Sequence, residues 1–292
     1  MNMRKIYGLV RGRSRASFSW VKTTRTIRGL ATLTRPWNCI ALSVLFVAVR
    51  RGVATEIDRD TLLVATAWGF AAAAGYVWND ITDIEIDQDV HPRRALPSGV
   101  VNSELARMWA AALAIGALGL VLQSGAAASV WVSIAILGAT LYSSVIRPWT
   151  SLGANVLCAV LVAMVPLSAM NGTDWLGISV AGFVFCVTLG RELVKDVLES
   201  DGDKLRRPGP ALGQGDSTTA ILARWILVVS MLVIGLLVMG ALHSDLAIVG
   251  CLAAVVIAVL ALIPIGANRV ISPAQSRLLK AAAFCLSLSI LW

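Results

Sequence analysis

Two acidic stretches hold the side chains with the most chemistry to offer: Trp78-Asn79-Asp80-Ile81-Thr82-Asp83-Ile84-Glu85-Ile86-Asp87 and Arg191-Glu192-Leu193-Val194-Lys195-Asp196-Val197-Leu198-Glu199-Ser200-Asp201-Gly202-Asp203. Carboxylates recur in them at the same spacing, as Asp80, Asp83, Asp87 and as Asp196, Glu199, Asp203. Steps of three and four residues keep each set on one face of an α-helix. Asn79, four residues before Asp83, adds an amide oxygen to that face. Like charges at this density repel unless a cation sits between them. Magnesium takes oxygen ligands and bridges carboxylates to substrate phosphates. Two such faces with Arg and Lys nearby therefore fit a diphosphate bound through magnesium, the bases holding the remaining oxygens. The chemically silent alternative is a pair of solvated helix caps, and the matched spacing argues against it.

Helices must bring these faces together, and the rest of the chain supplies them. Of its 292 residues, 57% are hydrophobic and 14% charged, and the mean hydropathy is +0.77. A soluble domain carries about 25% charged residues, and one soluble core could not bury so large an apolar surplus. Secreted miniprotein, disordered regulator and ordinary cytosolic enzyme are excluded. A span needs about 20 apolar residues, and nine runs qualify: 33–50, 61–79, 104–122, 126–145, 153–170, 177–195, 217–240, 246–266 and 276–292. The expected fold class is all-α, a polytopic membrane bundle of about nine transmembrane helices.

The net charge of +8 would suit nucleic acid, but its distribution points to lipid. Basic residues crowd the segment before the first apolar run, from Arg4 to Arg35. With a cytoplasmic N-terminus, all of the 25 bases except Arg50, Arg51 and Arg59 fall on the inner side, as the positive-inside rule requires. Residues 1–30 thus read as a basic cytoplasmic flank against anionic lipid rather than a secretory leader, with residues 31–292 as the transmembrane domain. Both acidic segments follow spans that end inside, so the site is expected to open toward the cytoplasm. No nucleic acid is expected as a partner. Cys39, Cys158, Cys186, Cys251 and Cys285 lie in apolar runs at no metal-like spacing and read as small core residues.

At this point the chain resembles the UbiA superfamily of intramembrane prenyltransferases. Asn79 to Asp87 is similar to that family's N-D-x-x-D-x-x-x-D motif, and His91-Pro92-Arg93-Arg94-Ala95-Leu96-Pro97-Ser98-Gly99 to the tail that follows it. Arg35-Pro36-Trp37-Asn38 resembles the R-P-x-N start of the first span, and Tyr142 to Asn155 is weakly like the Y-x-x-x-x-K…G-N stretch. The second segment resembles the form found in digeranylgeranylglyceryl-phosphate synthases and homogentisate-type enzymes. The resemblance implies a prenyl diphosphate donor, two magnesium ions, and alkylation of a lipid-soluble acceptor: an aromatic, a quinone precursor or a glycerophosphate ether. It also implies that Asn79, Asp83 and Asp87 hold one magnesium and that Asp196, Glu199 and Asp203 hold the other. Asp83, Asp87, Asp196, Glu199 and Asp203 are then the catalytic carboxylates. Asp80, Arg94, Tyr142, Arg147 and Lys195, with Asn79, lie at the diphosphate. The chain departs from the family pattern at Glu199, Ala95, Arg147 and within Gly153-Ala154-Asn155.

Other residues carry weaker expectations. Trp78 is placed to present a ring to an allylic cation, and His91 to take the proton lost on alkylation. A membrane terpene cyclase would keep the donor site and dispense with the acceptor. A carrier for an ion or a phosphorylated lipid would instead need polar residues through the midplane, whereas here charge gathers at one mouth.

Overall fold

The computed structural model describes residues 23–53, 56–170, 175–203, 218–241, 245–262 and 273–291, and every regular element among them is helical. A helix over 23–33 leads into α1 (Pro36–Val53), followed by α2 (Arg59–Thr82), α3 (Ile84–Val90), α4 (Ser103–Val121) and α5 (Ala126–Leu141). Then come α6 (Ser151–Ser168), α7 (Trp175–Asp203), α8 (Thr218–Ala241), α9 (Asp245–Leu262) and α10 (Pro273–Ile290). Each of the nine apolar runs therefore carries a helix among the described residues. The segments Pro36–Val53, Arg59–Thr82, Ser103–Val121, Ala126–Trp149 and Trp175–Lys195 are long and apolar enough to cross a membrane. The other apolar stretches, Leu152–Ser168, Val228–Gly240 and Ala247–Ala261, are shorter.

Burial separates central helices from outer ones. In α2, Ala67, Trp68, Ala71, Ala73, Ala74 and Val77 are buried, so small side chains let α4 and α5 approach closely. α7 also lies inside, packed against α6, α8 and α10. Ile115, Leu122, Leu137 and Leu236 stand out from the bundle, each more than 60% exposed. A soluble surface does not tolerate so many large apolar side chains, whereas lipid does.

Local capping sets where the helices begin. Asp58 caps α2 by accepting from Thr61 N at 2.8 Å and Thr61 Oγ1 at 2.6 Å, which holds its carboxyl below the usual carboxylate range. Asn102 caps α4 through Leu105 N at 2.7 Å, and Thr150 caps α6 through Gly153 N at 3.2 Å. The loop between α3 and α4 is not loose. Val101 N bonds to Ala95 O, and Leu96 and Val101 form an apolar cluster with Leu33, Val77 and Ile81. This second core fastens the helix over 23–33 and the loop 91–102 beneath the end of α2.

Candidate active site

The first acidic segment breaks where continuous helix was expected. α2 ends at Thr82, Asp83 sits between helices at φ −91° and ψ 3°, and α3 begins at Ile84. Backbone bonds still bridge the break, from Asp83 N to Asn79 O at 3.0 Å and from Asp87 N to Asp83 O at 2.9 Å. Asp80, Asp83 and Asp87 are all buried, at 7%, 8% and 4% exposure. Burial of three carboxylates requires partners, and each has an arginine from a different element.

Arg35 donates from Nη2 to Asp80 Oδ1 at 2.7 Å and stacks 5.0 Å above the Tyr76 ring. Its backbone is left-handed at φ 49°, the residue before Pro36 being steered away from the right-handed helical region. Such strain persists only where the surroundings hold it, and here it aims the guanidinium at α2. Arg94, from the loop 91–102, grips Asp87 with two bonds of 2.8 and 2.7 Å. Arg147 bonds Asn79 Oδ1 at 2.6 Å and also Asp83. It reaches them because α5 widens into a π-helical turn at Tyr142–Ile146 before the short turn Arg147–Trp149. π-Turns inside α-helices gather at functional sites. This one also brings Ser143 Oγ within 3.4 Å of Asn79 Oδ1.

Behind these pairs lies a cavity of about 540 Å³. Asn79, Tyr142 and Arg147 line it from one side, and Arg191, Glu192 and Lys195 of α7 from the other. The first acidic segment, through Asn79, and the start of the second therefore meet at one space. Arg35, Asn38 and Tyr76 complete its polar end, while Leu45, Trp68, Val165 and Val184 are among the side chains of its apolar part. Trp68 is fixed by a 3.0 Å bond from Nε1 to Ser168 Oγ.

Asn79, Tyr142, Arg147 and Lys195 thus share the cavity, while Asp80, Asp83, Asp87 and Arg94 are not among its lining residues; Asp80 and Asp83 are joined to it through Arg35 and Arg147. The backbone of Asp196, Glu199 and Asp203 continues α7, and their side chains lie outside the described residues. Among the described residues no group of three acids, cysteines or histidines is gathered closely enough to hold a metal. Trp78 is not among the cavity's side chains; its Nε1 donates to Ser144 Oγ at 3.0 Å, and the tryptophans that line the cavity are Trp37 and Trp68. His91 ends α3 and is not among the cavity's side chains.

Sequence reasoning singled out neither Tyr76 nor Lys280 of α10 as a site residue, and both line the cavity. Their signal was weak: a tyrosine within an alanine-rich run, and a lysine one turn into the last apolar stretch.

Comparison with known proteins gives the family and the fold. Residues 38–290 match the UbiA prenyltransferase family. Digeranylgeranylglyceryl phosphate synthase of Methanoculleus marisnigri is 29% identical over 185 residues, covering 61% of this chain and 65% of the relative. The enzyme of that name from Natronomonas pharaonis is 32% identical over 189 residues, with the same coverage. The chain thus spans just under two thirds of the length of these curated relatives. A solved structure described for digeranylgeranylglyceryl phosphate synthase in membranes superposes with a TM-score of 0.70 at 24% identity, over 91% of this chain and 97% of that one. A homologue from Archaeoglobus fulgidus bound to GPP and Mg²⁺ gives 0.67 at 13% identity, over 90% and 99%. At these identities the two structures share the fold.

Proposed function

The chain belongs to the UbiA prenyltransferase family, and from that premise we propose that it is a magnesium-dependent membrane prenyltransferase, moving an isoprenyl group from a prenyl diphosphate to a lipid-soluble acceptor. The observation that carries this reading is the shared cavity, lined at its polar end by Asn79 of the first acidic segment and by Arg191, Glu192 and Lys195 at the start of the second, with apolar side chains elsewhere in its lining. Asn79, Asp83 and Asp87 offer oxygen ligands only, the set a hard divalent ion prefers. They would hold one magnesium, and Asp196, Glu199 and Asp203 a second. Bound there, magnesium would neutralise the diphosphate and make it a better leaving group.

The chain's own residues do the rest. Arg147 and Lys195 bind diphosphate oxygens, the arginine fork suiting two oxygens at once. Tyr142 and Ser143 offer hydroxyl donors beside them. Breaking the donor's C–O bond leaves an allylic cation, which the apolar walls keep from water. In this reading the nine apolar helical segments make up the membrane domain over residues 31–292, with the 1–30 flank and the cavity mouth on the cytoplasmic side. Among possible acceptors the relatives' product name favours a glycerophosphate ether over a phenol or quinone precursor.

The test is diphosphate release from radiolabelled geranylgeranyl and farnesyl diphosphate by purified protein, with and without magnesium. Release should need magnesium and fall by about 100-fold or more in Asp83→Asn. No release from any donor would overturn the reading.

A further inference from the structure

The apolar end of the cavity is closed by a tryptophan held in one pose. Going away from Asn79 and Arg191, the deepest lining side chains on α1, α2, α6 and α7 are Leu45, Trp68, Val165 and Val184. All four are buried, and one turn further on Val49 and Val180 are buried without lining the cavity. Trp68 is the largest of the four and the one with a polar anchor. Its Nε1 donates to Ser168 Oγ at 3.0 Å, from α2 across to α6. Ser168 in turn donates to Val165 O at 2.8 Å, so its proton is committed and it meets the indole as an acceptor. Val165 O is open to that bond because Ala169 N turns to Pro166 O at 3.2 Å where α6 ends. The two bonds in series hold the ring across the floor.

We propose that the Trp68 indole, held by Ser168, is the stop that sets the longest isoprenyl chain the cavity takes. The inference rests on the prenyl-transfer reading above and adds to it the residue that selects donor length. From Asn79 to Trp68, α2 runs about 16 Å at 1.5 Å per residue. An extended chain covers about 3.5 Å in three backbone bonds, so the four bonds of an isoprene unit cover about 5 Å. With the diphosphate at Asn79, three units lie extended above the indole and a fourth enters only with the chain bent. Six outrun the depth. Trp68 meets the far end of the tail, and Ser168 is a positioning residue that acts through it.

Prenyl diphosphates of three, four and six isoprene units, titrated calorimetrically into the full chain in nanodiscs with magnesium, test the stop, and diphosphate release from each reads turnover. The six-unit donor should bind about tenfold or more weakly than the three-unit one, the low end for a misfit of one methylene in an apolar pocket. Trp68→Ala should remove that gap, and Trp68→Phe, which keeps a ring in the core, should narrow it. Ser168→Ala should narrow it too by freeing the indole, whereas Ser168→Thr keeps the hydroxyl and should restore it. A role for Ser168 in stability alone would weaken all three donors equally. Equal affinity for the three donors in the unaltered chain would overturn the stop. Long tails would then leave past Trp37 and Phe284, cavity-lining side chains that are 82% and 43% exposed. A gap that survives Trp68→Ala, Trp68→Phe and Ser168→Ala would overturn it as well. Length-graded binding with no diphosphate release from any donor would sink the prenyl-transfer reading alone.

Discussion

Arg147 is the residue on which the first acidic segment turns, because one guanidinium serves Asn79 and Asp83 together. The pair with Asp83 is well shielded, at 12% and 11% side-chain exposure. Removing one partner of a buried pair leaves the other charge uncompensated, a loss of about 3–5 kcal/mol. A divalent ion on Asn79 and Asp83 would compensate the same charge, so arginine and metal are interchangeable supports for Asp83. Arg147→Ala should therefore melt well below the unaltered protein in the presence of a chelator, and regain most of the difference in saturating magnesium. Thermal denaturation in detergent reads both. An equal gain from magnesium in the two proteins would refute the exchange. Arg147→Lys, a point charge without a fork, should fall between them. Arg35 and Arg94 hold Asp80 and Asp87 by the same logic, each on a single acid; Arg35 sits outside this exchange, whereas Arg94 shares in it through Asp87.

At the scale of elements, the helices were legible in the sequence and their distortions were not. An apolar run in lipid can satisfy its backbone only as a helix, which is why runs such as 61–79 and 104–122 coincide with α2 and α4. Spacing put Asn79, Asp83 and Asp87 on one stretch of helix, and backbone bonds carry that register across the break at Asp83. The break itself and the π-turn at Tyr142–Ile146 coincide with the contacts of Arg147 and Ser143 to Asn79 and Asp83, and no periodicity within one segment records such tertiary contacts. Lys280 escaped for the same reason: only the packing of α10 on α1 and α7 reveals that it faces the cavity. Close packing gives a prediction of its own where α8 meets α9. A side chain at Gly235 would run into Val255, which is 5% exposed. Overpacking costs about 1–3 kcal/mol, against about 1 kcal/mol gained by replacing glycine in a helix. Gly235→Ala should thus lower the melting midpoint slightly, and adding Val255→Ala should recover it by opening the space the new methyl needs. A midpoint that rises in the single variant would show that the α8–α9 contact yields freely.

For the whole molecule, the distribution of charge decides which way the bundle sits. Arg35, Arg94 and Arg147 converge on the ends of α2 and α3 through their ion pairs, and Arg191 and Lys195 join them at the cavity. At the far end Arg50 reaches Ala169 O, and Arg59 reaches Gln123. Basic residues near span ends are retained on the cytoplasmic side, so we propose that the cavity mouth faces the cytoplasm and is open to substrates of the inner leaflet. α4 offers a direct measure, since its 19 residues extend about 28 Å at 1.5 Å per residue, close to the hydrocarbon thickness. Ser98 lies exposed in the loop before it, and Gln123 is exposed just past its other end. In a background whose five native cysteines are replaced, Ser98→Cys should react with a membrane-impermeant maleimide only in inside-out vesicles. Gln123→Cys should react only in right-side-out ones. The opposite pattern would place the cavity mouth outside, and the basic end of the bundle would then need an anchor other than the anionic inner leaflet.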